Sequence, residues 1–283
     1  MLHKSQTPVK ILIGKIILFL ALCTAIYAFV LYNIQRNLIF VPYHNYIAPT
    51  QMENSPFAEN VLTMKDGTKV MTWYAAGDKH KPAILFFHGN AFQLAAYAEQ
   101  LYPFVARGYA VLMMEYRNFG NTEGKTLQQD IFSDAAETFD WLQAQGYPEI
   151  VVYGYSYGTS VASGLTSLRP VDKLILTAPF SSLHKLVKEK PVPLAGILLK
   201  DHYPSEDYLR DYHNPLLILY GTKDRLIPIH HGQMMFDAAA SADKTFITIK
   251  DCSHKPIFFD KLNQPAIFEW LDAHYATENT SEK

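Results

Sequence analysis

Ile150-Val151-Val152-Tyr153 runs directly into Gly154-Tyr155-Ser156-Tyr157-Gly158, and this junction decides the fold. A β-branched and aromatic run of the kind a buried parallel strand needs leads into the pattern G-x-S-x-G. The small residues Thr159-Ser160-Val161-Ala162-Ser163-Gly164 follow as a candidate helix. Five residues alone are a weak signal, since a tight turn with a solvated serine satisfies the same pattern. Strand, turn and helix in that order make it a candidate nucleophile elbow. Glycines two residues before and two after the serine let strand and helix backbones pass closely. On this reading Ser156 is the attacking group of a hydrolase, and the rest of the chain must supply its partners.

The bulk properties leave room for such a domain. The chain has 283 residues, 49% hydrophobic and 18% charged, which is ordinary globular composition. A formal net charge of -2 gives no reason to expect nucleic acid as a partner. Eleven histidines form no cluster at metal-ligand spacing, and His230-His231 is a bare pair, so neither metal nor cofactor is expected. The two cysteines, Cys23 and Cys252, do not suggest a structural disulfide, and neither sits in an elbow.

Residues 11–32 read ILIGKIILFLALCTAIYAFVLY. The uncharged part, Ile16 to Tyr32, spans about 25 Å of helix, and with Lys15 snorkelling the whole run reaches the ~30 Å of a bilayer core. A cleaved signal peptide would have a shorter apolar region ending in a small-x-small site. The expectation is therefore an uncleaved transmembrane signal-anchor at 11–32. Lys4, Lys10 and Lys15 lie on its N-terminal side, whereas Arg36 alone follows closely. The positive-inside rule then sets residues 1–10 in the cytoplasm and the catalytic domain on the extracytoplasmic side.

A Pro-containing linker is expected at 33–59, a catalytic domain at 60–276 and a polar tail at 277–283. Val61-Met64 and Thr68-Tyr74 flank Lys65-Asp66-Gly67 as a hairpin. Strands are then expected at Ala83-Phe87, Ala110-Tyr116, Ile150-Tyr153, Leu174-Thr177, Leu216-Tyr220 and Thr245-Ile249. Helices are expected between them, including one from Ala91 to Arg107 and one from Thr126 to Gln145 with Thr126 as its cap. Such alternation means an α/β fold with a mostly parallel central sheet and helices on both faces. It breaks at about 180–211, an insertion long enough to form a small cap over the site.

A serine hydroxyl needs a base, and the base needs an orienting acid. On this kind of sheet they come from loops after later strands, in the order serine, acid, histidine. Leu216-Tyr220 leads into Gly221-Thr222-Lys223-Asp224, and Thr245-Ile249 into Lys250-Asp251-Cys252-Ser253-His254. Asp224 and His254 are thus the candidate acid and base. The backbone N–H groups of Tyr157 and of Asn90, in His88-Gly89-Asn90-Ala91, are the candidate oxyanion donors. His88 is read as a brace for that loop.

Phe87-His88-Gly89-Asn90-Ala91, Glu115-Tyr116-Arg117-Asn118-Phe119-Gly120, Tyr153 to Gly158, Tyr220 to Pro228 and Ser253-His254 together resemble the α/β-hydrolase superfamily. The short H-G-N loop at His88-Gly89-Asn90 and the Y-R-x-x-G motif at Tyr116 to Gly120 resemble a membrane-anchored branch similar to acylglycerol lipases, depalmitoylases and prolyl-oligopeptidase-type peptidases. The resemblance covers roughly Tyr32 to Tyr275. It implies a Ser156-Asp224-His254 triad, an oxyanion hole at Asn90 and Tyr157, and hydrolysis of a carboxylic ester or thioester through an acyl-enzyme. The anchor and the apolar Leu194-Leu199 favour a lipid-like acyl substrate, with the membrane itself as the other partner. A serine peptidase and a catalytically silent binding protein are the alternatives. Two positions depart from the family pattern. Asn118 stands where glycine is usual, and Phe92-Gln93 replace a small pair, which is expected to narrow the acyl pocket.

Overall fold

The computed structural model describes residues 7–281. Its strands are β1 (Val41–Pro42), β2 (Ala58–Thr63), β3 (Lys69–Ala75), β4 (Ala83–Phe87), β5 (Ala91–Phe92), β6 (Ala110–Met114), β7 (Ile150–Tyr155), β8 (Lys173–Thr177), β9 (Leu216–Gly221) and β10 (Lys244–Ile249). Eight of them form the central sheet in the order β10-β9-β8-β7-β4-β6-β3-β2. β3 runs antiparallel to β2 and to β6, and every other neighbouring pair is parallel. β4, β6, β7, β8 and β9 are buried along their whole length. Their alternate residues therefore feed two cores, as period-2 geometry requires. Leu85, Val152 and Ile218 pack against α4 (Gln128–Gln143) and α5 (Tyr157–Thr166). Ile84, Val151 and Leu219 pack against α3 (Tyr102–Ala106), α10 (Pro256–Phe259) and α11 (Gln264–Ser281).

The expected α/β-hydrolase architecture is present, and several local expectations are not. Residues 91–107 do not form one helix. β5 pairs with β1, and only the short α2 (Ala95–Ala98) and α3 follow, the latter carrying Pro103 in its first turn, where its missing N–H breaks any continuous helix from α2. Thr126 does not cap α4, because its hydroxyl donates to the Arg117 carbonyl. α11 continues to Ser281, into the stretch read as a tail, with no glycine or proline after Pro265 to stop it. The stretch 1–10 read as a cytoplasmic terminus lies mostly outside the described residues.

α1 (Thr7–Ile39) is longer than the 11–32 span and enters the stretch read as a linker. That stretch is not free: Phe40 is buried and β1 is paired. The 180–211 insertion forms α6 (Leu183–Lys188), α7 (Ala195–Leu198) and α8 (Ser205–Tyr208), with α9 (His230–Ala238) following β9. Instead of closing over the sheet alone, it grips the C-terminal half of α1. Gln35 donates to the Leu198 carbonyl (3.0 Å) and accepts from the Lys200 N–H (2.8 Å). Arg36 pairs with Asp201 through two bonds of 2.6 and 3.0 Å, and the Tyr27 hydroxyl donates to the Pro193 carbonyl (2.9 Å). The physical reason is pairing: Gln35 and Arg36 are polar groups on an apolar helix, and the insertion satisfies them.

Arg117, just beyond β6, ties three elements together. It donates to Asp134 of α4 at 2.8 and 2.6 Å and to Asp66 of the hairpin turn at 2.6 Å. Arg117 and Asp134 are buried, whereas Asp66 is exposed. Arg117→Ala should lower unfolding free energy by about 3–5 kcal/mol, since it strands the Asp134 charge. Arg117 also holds the Asp66 carboxyl down to about 2. Stabilisation by Asp66 is then complete above the usual carboxylate range near ~4 and disappears as pH falls through about 2. The denaturant midpoints of wild type and Asp66→Asn should differ at pH 6 and converge at pH 2.

Candidate active site

β7 ends at Tyr155, α5 begins at Tyr157, and Ser156 sits between them at φ +53°, ψ −118°. That backbone is strained for any residue with a side chain, and it lifts the hydroxyl clear of the sheet. The two flanking glycines are required by contact. A Cβ on Gly158 would lie 2.0 Å from the Phe87 carbonyl oxygen, and one on Gly154 would lie 2.5 Å from the Gly158 carbonyl oxygen.

The structure brings Ser156, His254 and Asp224 into one hydrogen-bonded chain. Ser156 Oγ is 2.8 Å from His254 Nε2, and His254 Nδ1 is 2.7 Å from Asp224 Oδ2. Asp224 follows β9 and is buried, and its Oδ1 accepts from the N–H groups of Leu226 (3.0 Å) and Ile227 (2.9 Å). Both of its oxygens are thus engaged and the carboxylate is fixed. With Nδ1–H directed at Asp224, the lone pair of Nε2 faces the serine hydroxyl. Asp251, the other acid near His254, is exposed and pairs with Lys223 at 2.9 Å. Burial pushes the Cys252 thiol up, away from thiolate chemistry.

Tyr155 is a supporting residue that sequence reasoning missed. Its ring stacks on His254 at 5.6 Å and on Phe258 at 4.5 Å, and its hydroxyl donates to the His254 carbonyl at 3.1 Å. An aromatic residue immediately before the serine was the available signal.

Asn90 and Tyr157, the two candidate oxyanion donors, come from different parts of the fold. Tyr157 opens α5, so its N–H is at a helix N-terminus. The loop carrying Asn90 follows β4, whose last carbonyls press on Gly158. His88 braces it as expected: Nδ1 lies 2.7 Å from the Gly89 carbonyl, Nε2 lies 2.9 Å from Glu115, and the Tyr116 hydroxyl donates to the His88 carbonyl at 2.8 Å. Asn118 adopts φ +71°, a backbone that Asn tolerates better than most residues. The Gln93 amide is held by residues 45–47, while Phe92 and Gln93 together line an apolar pocket with Tyr43, Ile47 and Met52.

His230 and His231 are not a bare pair, since Glu189 lies 2.8 and 3.4 Å from their Nε2 atoms. The backbone N–H (3.4 Å) and the hydroxyl (2.9 Å) of Ser181 both lie against His231 Nδ1. Glu189, His230 and His231 bring their potential ligand atoms within 4.8 Å of one another, a grouping that the sequence spacing did not reveal.

The comparisons agree with this architecture. The family described as serine aminopeptidase, S33, matches residues 78–208. An uncharacterized protein of Mycobacterium tuberculosis is 30% identical over 227 residues, covering 78% of this chain and 80% of its own. Lysophosphatidylserine lipase ABHD12 of Xenopus tropicalis is 30% identical over 185 residues, covering 57% of this chain and 47% of its own, so the match spans about half of that lipase. The Pyrococcus furiosus esterase Pf2001 superposes with a TM-score of 0.65 at 18% identity, covering 84% of this chain and 98% of that structure. The chain belongs to the α/β-hydrolase superfamily. Within it, the chain is a serine hydrolase.

Gly158→Ala forces a methyl group into the Phe87 carbonyl. It should destabilise the protein by about 4 kcal/mol or more, as core overpacking against backbone does, seen as a large fall in the denaturant midpoint or loss of folded protein.

Proposed function

We propose that the chain is a membrane-anchored serine hydrolase that cleaves carboxylic esters or thioesters with a lipid-like acyl group. The observation that carries this reading is the continuous Ser156–His254–Asp224 chain of 2.8 and 2.7 Å at a strained elbow. His254 Nε2 takes the Ser156 proton as Oγ attacks the acyl carbonyl, and Asp224 stabilises the imidazolium that forms. The N–H groups of Asn90 and Tyr157 stabilise the oxyanion. His254 then gives its proton to the departing alcohol or thiol, leaving an acyl-serine. Water, deprotonated by the same imidazole, repeats the attack and releases the acid.

The lipid-like preference rests on α1 and the insertion that grips it. The most apolar window of α1 is entirely exposed, with a mean hydropathy of 2.3. A relative named as a lysophosphatidylserine lipase fits the same chemistry. The contact of Tyr27 with Pro193 shifts the membrane span toward the N-terminus. Residues 8–26, about 28 Å of helix, remain free to cross the hydrocarbon core, close to its ~30 Å thickness. The charge bias around α1 favours a cytoplasmic N-terminus.

A fluorophosphonate should label the wild type at Ser156 and leave Ser156→Ala unlabelled. His254→Ala and Asp224→Asn should each cut ester turnover by about 10³- to 10⁴-fold, while Asp251→Asn stays near wild type. Unlabelled, well-folded wild type would sink the reading. A larger loss in Asp251→Asn than in Asp224→Asn would reassign the acid. p-Nitrophenyl esters of increasing length should be cleaved with rising kcat/KM, and a flat series would remove the lipid-like preference.

Ile197, on α7 beside the anchor, is 78% exposed. On this reading it lies at the lipid interface. Tryptophan introduced as Ile197→Trp should be quenched by brominated lipid in proteoliposomes. Quenching equal to that in unbrominated vesicles would place the insertion away from the bilayer.

A further inference from the structure

The loop that carries Asn90 is bound along its length by the segment that leaves the anchor helix. β1 and β5 pair in parallel, Val41 with Ala91 and Pro42 with Phe92. The Val41 N–H donates to the Asn90 carbonyl at 2.9 Å, and the Tyr43 N–H donates to the Phe92 carbonyl at 3.2 Å. The Asn90 side-chain amide donates to the carbonyl of Ile39, the last residue of α1. Gln93 is buried, and both ends of its amide are spent on the same segment. Nε2 donates to the Asn45 carbonyl (2.8 Å), and Oε1 accepts from the Ile47 N–H (3.0 Å). Five hydrogen bonds thus join residues 39–47 to residues 90–93.

Two further observations show what these bonds hold. Phe92 sits at φ +67°, a left-handed backbone that a bulky residue adopts only when its surroundings impose it. Phe40, between α1 and β1, is buried with its ring 5.0 Å from that of Tyr157, edge to face. The same short segment therefore touches both residues whose N–H groups are assigned to the oxyanion. The peptide between Gly89 and Asn90 is flanked on one side by a glycine, whose backbone turns freely. On the other side the Asn90 carbonyl and side chain are tied to Val41 and Ile39. The aim of the Asn90 N–H is set from that tied side.

We infer that residues 39–47 are a positioning strap for the oxyanion hole and that Gln93 is the positioning residue that locks the loop to it. This rests on the assignment of Asn90 and Tyr157 as the oxyanion donors. The strap acts through backbone orientation and touches no reacting atom. Its loss should weaken binding of the tetrahedral oxyanion and leave binding of the planar ester unchanged.

The test uses the full-length protein in detergent, with Gln93→Ala and Asn90→Ala, the latter keeping its backbone N–H. The probes are a long-chain trifluoromethyl ketone, which adds the serine to form an anionic hemiketal, and its methyl ketone analogue, which stays planar. The expected result is a fall in kcat on the order of 10- to 100-fold with KM unchanged. The trifluoromethyl ketone should weaken by the same factor, and the methyl ketone should bind as before. Unchanged kcat and unchanged trifluoromethyl ketone binding in a folded variant would overturn the inference. A joint loss of both ketones and a raised KM would also overturn it, by pointing to general disorder of the site. If Gln93→Ala does not fold, Asn90→Ala alone decides. A wild type that resists both the trifluoromethyl ketone and the fluorophosphonate would instead refute the serine mechanism beneath it.

Discussion

A side chain on Gly158 would overlap the Phe87 carbonyl, so β4 and α5 meet backbone to backbone. The rest of the site follows from that approach. It leaves no room for a relaxed turn, so Ser156 takes a strained backbone and projects its hydroxyl above the strand ends. It also sets the loop after β4 beside the N-terminus of α5, where two N–H groups from different elements can converge. The parallel sheet then delivers the remaining groups. β9 and β10 end on the same side as β7, and their loops supply Asp224 and His254.

Parts of this were legible in the sequence because they are local. The elbow is five contiguous residues behind a strand, and Asp224 and His254 each stand a short loop beyond a strand of their own. The alternation of strands and helices gave the layers, since the five central strands β4, β6, β7, β8 and β9 are buried on both faces and read as apolar runs. The break in residues 91–107 was not legible, because β5 exists only through its partner β1, fifty residues earlier in the chain. Gln93 looked like a bulky neighbour of the oxyanion loop, and its actual partners are the backbones of Asn45 and Ile47. Thr126 has the residue type of a helix cap, but the nearby Arg117 carbonyl competes for its hydroxyl. In each case a polar contact with a residue outside the element overrode a local preference.

The insertion between β8 and β9 shows the same principle. Its apolar residues suggested a cover for the site. Its backbone carbonyls and Asp201 also satisfy Tyr27, Gln35 and Arg36 on α1, which the sequence did not reveal. Tyr203 meanwhile reaches Tyr157 through a hydroxyl pair at 2.7 Å. One insertion therefore contacts both α1 and the first residue of α5, the helix that follows Ser156.

α1 is a single helix of 33 residues, and its last turns are clasped by the insertion and by the strap. For a chain held in a bilayer through this helix, Ser156 has a set height and a set facing. A flexible tether would let the domain sweep a hemisphere and meet dissolved or opposing-membrane esters equally well. A stiff stalk instead favours substrates in the same leaflet, presented at one depth. Selectivity for where an ester bond lies along the membrane normal would then come from the length of a helix, separately from the shape of the site.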